Sequence, residues 1–153
     1  MAKLLVSLLA FVAITGNQPA GKPNFTGEWT FNAAKSNFGA VPPPTVLTRS
    51  IKHDEPNLTI VENQVGALGE QLATRKYVTD GTPTSFETQG TTVPTSAKWD
   101  GTTLLIVSTV EALGLSFNDK MSLSADGKTL TSVVRISSPQ GDVEMTVLFD
   151  RAK

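Results

Sequence analysis

Five side chains of this sequence have chemistry beyond packing: Arg49, Glu62 and Asp119 within apolar runs, and His53 and Glu55 beside a turn. His53 is the only histidine, and there is no cysteine. One imidazole without thiolates or a nearby acidic cluster makes a poor metal site, so none is expected. Haem ligation by His53 is the sharper alternative; a solvated imidazole at a strand end is the plainer one. A Ser-His-Asp triad would have to use His53, and no G-x-S-x-G elbow is present. Gly66-Ala67-Leu68-Gly69 lacks the lysine and following helix of a phosphate loop. Asp54-Glu55 pairs two carboxylates in a turn, where solvation explains them. No catalytic residue and no cofactor are expected, and the chain reads as a non-enzyme.

Strands must position these groups. Thr, Val, Leu and Ser are abundant, and Gly66 and Gly69 break the one helical candidate, residues 65–73. Turn signals recur at Asp80-Gly81, Asp100-Gly101, Leu113-Gly114, Asp126-Gly127 and Gln140-Gly141. Asp-Gly between alternating apolar residues is a strong hairpin signal, because a type I′ turn needs positive φ at both positions. Their spacing gives about ten strands. An antiparallel meander that long must roll up, so the expected fold is all-β, an up-and-down meander closed into a barrel.

Two-residue loops at these turns set a register. Asp126-Gly127 puts Leu123 opposite Leu130 and Phe117 opposite Ile136. Leu113-Gly114 puts Val110 opposite Phe117, Ile106 opposite Met121 and Leu104 opposite Leu123. Gln140-Gly141 pairs Ile136 with Met145 and Val134 with Val147, and Asp100-Gly101 pairs Ala97 with Leu104. All these pairs share one face, while Ser116, Asn118, Lys120, Thr129, Arg135, Glu144 and Asp150 take the other. A one-residue slip would destroy that agreement. In the N-terminal half, residues 45–53 and 58–65 form a hairpin around Asp54-Glu55-Pro56-Asn57, with Ile51 opposite Ile60 and Arg49 opposite Glu62. Residues 72–78 and 85–91 alternate more weakly. Residues 32–44 are irregular, and Pro42-Pro43-Pro44 forbids helix there.

The inner face then supplies a candidate ligand-binding set. Arg49 and Glu62 come from the first hairpin, and Ser108, Phe117, Asp119 and Met121 from the next strands. Ser132, Val134 and Ile136 follow, with Met145 and Phe149 from the last strand. Small residues among them, Ala97, Ser108, Ala112 and Ser132, leave room for a guest. Three inward charges in an apolar cavity would orient a ligand's polar end. The plainer reading is that Arg49 and Glu62 neutralise each other, and that a bulge at Asn118-Asp119 turns the carboxylate outward.

The 153 residues carry a net charge of −1 with no run of Lys or Arg, which argues against nucleic acid or anionic lipid as partner. Without cysteine there is neither a disulfide nor a lipidated membrane anchor. After Lys3, residues 4–14 are apolar apart from Ser7, and small and polar residues 15–21 follow. That is the grammar of a signal peptide, and too short to span a bilayer as a helix. Residues 1–21 are therefore expected to be a cleaved leader and residues 22–153 a single barrel domain, exported to a periplasm or beyond.

Gly27-Glu28-Trp29 resembles the G-x-W of the first strand in calycin barrels, the lipocalins and fatty-acid-binding proteins. In those families the tryptophan plugs one barrel end and a basic residue of the last strand packs across its indole. Arg151, in Val147-Leu148-Phe149-Asp150-Arg151, stands where the resemblance requires it. The resemblance thus implies that Gly27, Trp29 and Arg151 close the barrel. Residues 33–44 are too short and proline-rich for the helical lid of fatty-acid-binding proteins, and their C-terminal R-x-Y is missing. Nor is the C-terminal helix of lipocalins expected after Arg151. Fatty-acid binding therefore does not carry over residue by residue. The segments Ala97-Lys98-Trp99-Asp100-Gly101 and Leu123-Ser124-Ala125-Asp126-Gly127 also look like parts of small exported bacterial proteins of unassigned function.

The expected function is non-covalent binding of a small, mainly apolar molecule inside the barrel. The alternative is a structural or protein-interaction module with a filled core, its protein partner unknown. A cavity of ~300 Å³ or more with apolar lining separates the two.

Overall fold

A computed structural model describes residues 21–153. The expected leader lies outside the described residues, except for Gly21. Ten strands follow in order: β1 (Gly27–Phe31), β2 (Val46–Asp54), β3 (Asn57–Gly66), β4 (Gly69–Val78), β5 (Thr84–Thr88), β6 (Thr91–Asp100), β7 (Thr103–Val110), β8 (Leu115–Leu123), β9 (Thr129–Ser138) and β10 (Gly141–Arg151). They form one antiparallel sheet in the order β4-β3-β2-β1-β10-β9-β8-β7-β6-β5. The first and last strands pair, with Trp29 opposite Arg151, so the chain ends meet within the sheet. The seam of the nearly closed barrel lies between β4 and β5. Side chains span it: Thr84 Oγ1 donates to the Lys76 carbonyl at 3.4 Å, and the Arg75 guanidinium lies 5.4 Å from the centre of the Phe86 ring.

The apolar face predicted from the turns is the barrel interior. Leu123 stands opposite Leu130, Phe117 opposite Ile136, Ile51 opposite Ile60 and Arg49 opposite Glu62, as expected. Three other hairpins are shifted by two residues. Trp99, rather than Ala97, faces Leu104, because the positive φ falls on Gly101 alone and Asp100 stays in its strand. Ser108, rather than Val110, faces Phe117, because the 3-10 turn Glu111–Leu113, ended by Gly114 at φ 61°, lengthens the loop. Met145 faces Val134 rather than Ile136, because Pro139-Gln140 forms the turn and Gly141 pairs with Ser138. Pro139 presets the φ of a first turn position. Side chains alternate with period two, so a two-residue shift leaves every residue on its predicted face.

One end of the barrel is sealed. Trp29 is 1% exposed, and its Nε1–H donates to the Phe25 carbonyl at 2.9 Å. The Arg151 guanidinium lies 4.3 Å from the centre of the indole and donates to the carbonyls of Thr26 at 2.6 Å and Gly127 at 2.9 Å. Gly27 is needed there: its φ is +148°, and a Cβ would collide with Arg151 Nη1.

His53 corrects the expectation of a solvated strand end, for it is buried in this plug. Phe25 stacks on it at 5.6 Å between ring centres, and Trp99 lies at 6.0 Å. Its Nδ1 accepts from the Phe25 N–H at 3.2 Å, which leaves Nε2 to donate to Glu55 at 2.9 Å. Glu55 also accepts from Trp99 Nε1 at 2.8 Å and Thr79 Oγ1 at 2.9 Å. Burial opposes the Glu55 charge, but these hydrogen bonds and Lys22 hold its carboxyl below the usual range. A turn that looks solvated in sequence is thus a structural knot, with the imidazole as a two-sided connector.

Candidate functional site: a cavity crossed by a chain of charges

Toward the other end the side chains do not fill the barrel. A cavity of about 380 Å³ remains between the sheet walls. Of the residues expected to face a ligand, Arg49, Glu62, Ser108 and Phe117 line it, as do Asp119, Val134, Ile136 and Met145. Met121, Ser132 and Phe149 are fully buried and lie in the packed core rather than in the cavity lining. Gly27, Trp29 and Arg151 sit at the sealed end. Among the described residues, no group of three His, Asp or Glu side chains could hold a metal ion.

Leu47, Ile60 and Ile106, from the face expected inside, add apolar wall. Several other lining residues went unrecognised in the sequence: Val93 of β6 adds apolar wall, and Arg75 and Tyr77 add polar groups from β4. The alternation of β4 is weak, but its hairpin carried a usable signal. A two-residue loop at Ala67-Leu68 puts Arg75 opposite Ile60 and Tyr77 opposite Leu58, as observed. Phe38 comes from the irregular connection between β1 and β2. Asn37 exchanges two 2.8 Å backbone hydrogen bonds with Thr146 of β10, and Phe38 packs edge-on against Phe31 at 5.4 Å. The connection contains one 3-10 turn, Ala33–Lys35, and Phe38 reaches from it into the cavity lining.

The polar groups form a chain rather than a scatter. Arg75 Nη1 donates to Glu62 Oε1 at 3.3 Å, and Arg49 Nε donates to Glu62 Oε2 at 2.7 Å. Arg49 Nη1 reaches Ser132 Oγ at 3.4 Å, and the Ser132 hydroxyl donates to Asp119 Oδ1 at 2.5 Å. The guanidinium of Arg49 also lies 4.5 Å from the centre of the Phe149 ring. Asp119 therefore points inward. The expected bulge is absent, since the ladder runs unbroken through Asn118 and Asp119 on both sides. Arg49 and Glu62 do neutralise each other, and within the lining of the cavity rather than away from it.

Burial decides the protonation tendencies. It raises the Glu62 pKa, but Arg49 and Arg75 outweigh it and hold the carboxyl below its ordinary value. Burial also disfavours the Arg49 charge, and Glu62 and Asp119 more than compensate. At Asp119 burial wins over Arg49 and the Ser132 hydrogen bond, and the carboxyl is pushed up. Burial pushes the Tyr77 phenol up to about 12. The site can hold an apolar body against its walls and read one polar group along the charge chain.

The sequence matches no protein-family model and no curated protein. Among solved structures it is similar to zebrafish ileal bile acid-binding protein complexed with cholic acid, with TM-score 0.61 and 16% identity over 84% of this chain and 98% of that one. It is similar to secretory abundant heat soluble protein 4 of Ramazzottius varieornatus, with TM-score 0.63 and 12% identity over 89% and 99% of the two chains. Fatty-acid-binding protein 1 of Echinococcus granulosus gives TM-score 0.58 and 10% identity over 84% and 98%. At these identities the likeness concerns architecture. The chain has the calycin-like β-barrel fold seen in the fatty-acid-binding proteins.

Proposed function

We propose that this protein is an exported, non-enzymatic carrier that binds a small, mainly apolar molecule in its barrel. The observation that carries this reading is the cavity of about 380 Å³ walled by Leu47, Ile60, Phe117, Ile136 and Val147. That volume falls in the range of small-molecule sites, and a core evolved only to pack would leave few voids larger than a water molecule. The bile acid-binding and fatty-acid-binding neighbours support a small-molecule role on this fold. Export rests on the apolar run at residues 4–14.

Titration of the delipidated protein with hydrophobic probes, followed by calorimetry or fluorescence, tests the carrier reading. Binding at micromolar affinity or weaker to the folded protein is expected, and no binding by any probe would reject it. Intact-mass measurement of the protein recovered from outside the cytoplasm tests export. A chain shortened to begin between residues 15 and 22 is expected, and one still starting at Met1 would reject cleavage.

A further inference from the structure

The carrier reading leaves the polar end of the ligand open, and the buried charges bear on it. Arg49 and Arg75 share Glu62, and Arg49 reaches Asp119 through Ser132. Two guanidinium groups thus meet two carboxylates, and the chain sums to zero when Asp119 is ionised. A ligand carboxylate would be a third anion in a site that has no third cation. An uncompensated charge in such surroundings loses more hydration than its contacts return.

The free polar groups point to a different guest. Asp119 uses Oδ1 for Ser132, and among the described residues its Oδ2 has no protein partner. The Tyr77 hydroxyl likewise has none; the residue lines the cavity, and among the described residues the enclosed side-chain polar atom left without a partner is Asn63 Oδ1, so the phenol oxygen is reachable from the cavity. With its pKa pushed up to about 12, it stays a donor at neutral pH. A ligand hydroxyl can donate to Asp119, and Tyr77 offers a further donor in the same lining, so an alcohol finds polar partners without adding charge.

We infer that the cavity selects an apolar ligand ending in an uncharged hydroxyl, and that the matching carboxylate enters only with one proton from solvent, which Asp119 takes up. The inference rests on the carrier reading. Around Asp119, its direct neighbours Ile106 in β7 and Val134 in β9 are apolar. The titratable groups facing it are Arg49 of β2, Glu62 of β3, and Arg75 and Tyr77 of β4. Glu62 is held between two guanidinium groups, so Asp119 is the carboxyl left to accept the proton. Burial, which already favours its protonated form, acts in the same direction.

The test is titration of the delipidated protein with 1-decanol and with decanoate, in buffers of high and low ionisation enthalpy, between pH 6 and 8. At pH 8 the alcohol should bind at least about tenfold tighter, and the carboxylate should gain up to about tenfold for each unit the pH falls. Only the carboxylate should show a heat that depends on the buffer, corresponding to uptake of one proton. Asp119→Asn keeps an acceptor for Ser132 and removes the charge. It should raise the carboxylate-to-alcohol affinity ratio about tenfold or more and abolish the buffer dependence. Tyr77→Phe should weaken the alcohol by about threefold to tenfold, the loss of one neutral hydrogen bond.

The buffer dependence of the unsubstituted protein needs no variant, so a folding defect in either variant cannot mask the answer. Equal affinities at pH 8 without proton uptake would overturn this inference and leave the carrier reading intact. Failure of both probes to bind would overturn the carrier reading, and this inference with it.

Discussion

Removing the Trp29 ring probes the sealed end of the barrel. The ring is 1% exposed, its Nε1–H bonds the Phe25 carbonyl at 2.9 Å, and the Arg151 guanidinium stands 4.3 Å from its centre. Truncation of a buried tryptophan to alanine costs about 3–5 kcal/mol, from lost transfer energy and the cavity left behind. Arg151 would keep its bonds to the Thr26 and Gly127 carbonyls, so its charge would stay satisfied. The guanidinium–indole contact itself contributes about 0.5–2 kcal/mol.

Arg151→Ala removes both carbonyl bonds together with the contact. The side chain is part-exposed, so its loss is discounted to about 2–3 kcal/mol. The double variant should then fall short of the summed single losses by about 0.5–2 kcal/mol. Urea unfolding followed by circular dichroism is the suitable assay, since Trp29 is one of only two tryptophans and its loss would change the fluorescence signal. Trp29→Phe keeps a ring beneath Arg151 and loses only the Nε1 bond, so it should cost less than the alanine variant and retain much of the coupling. Losses that add within about 0.5 kcal/mol would refute a closure made jointly by these two residues.

Two further outcomes concern the charge chain. Glu62→Ala leaves Arg49, 11% exposed at its side chain, without its carboxylate and should cost about 3–5 kcal/mol. Arg49→Met with Glu62→Leu removes both charges and should lose much less; a double loss as large as the single would refute the account of Glu62 as a neutralising partner. Asp119→Asn should stabilise the protein at neutral pH, because burial holds the Asp119 pKa above that of the unfolded chain. The stability contributed by the neutral carboxyl is full below the unfolded value of about 3.9 and is lost as pH rises through the folded one. Melting curves of variant and parent should therefore converge toward pH 4 and separate above it, and a variant less stable throughout would contradict the direction of the shift.

The meeting of Trp29 with Arg151 followed from the resemblance to calycin barrels, whereas strand number and the inner and outer faces were legible in the residues themselves. These depend on local alternation and turn chemistry, and they survive errors in loop length. Reading Asp100-Gly101 in place of Gly101-Thr102 moved every partner by two residues and no side chain across the sheet. The same parity placed Arg49, Glu62 and Asp119 inside. It could not say whether Asn118-Asp119 bulged, because a bulge depends on the ladders to both neighbours. Arg75 and Tyr77 stayed hidden in a strand whose alternation is weak, and His53 read as solvated because its covers, Phe25 and Trp99, are far away in sequence. Tertiary structure alone decided that the interior keeps about 380 Å³ open and that Ser132 joins Arg49 to Asp119 across it. The physical reason is one of range: face and turn follow from neighbouring residues, whereas an unfilled volume and the pairing of buried charges depend on all the strands enclosing them at once.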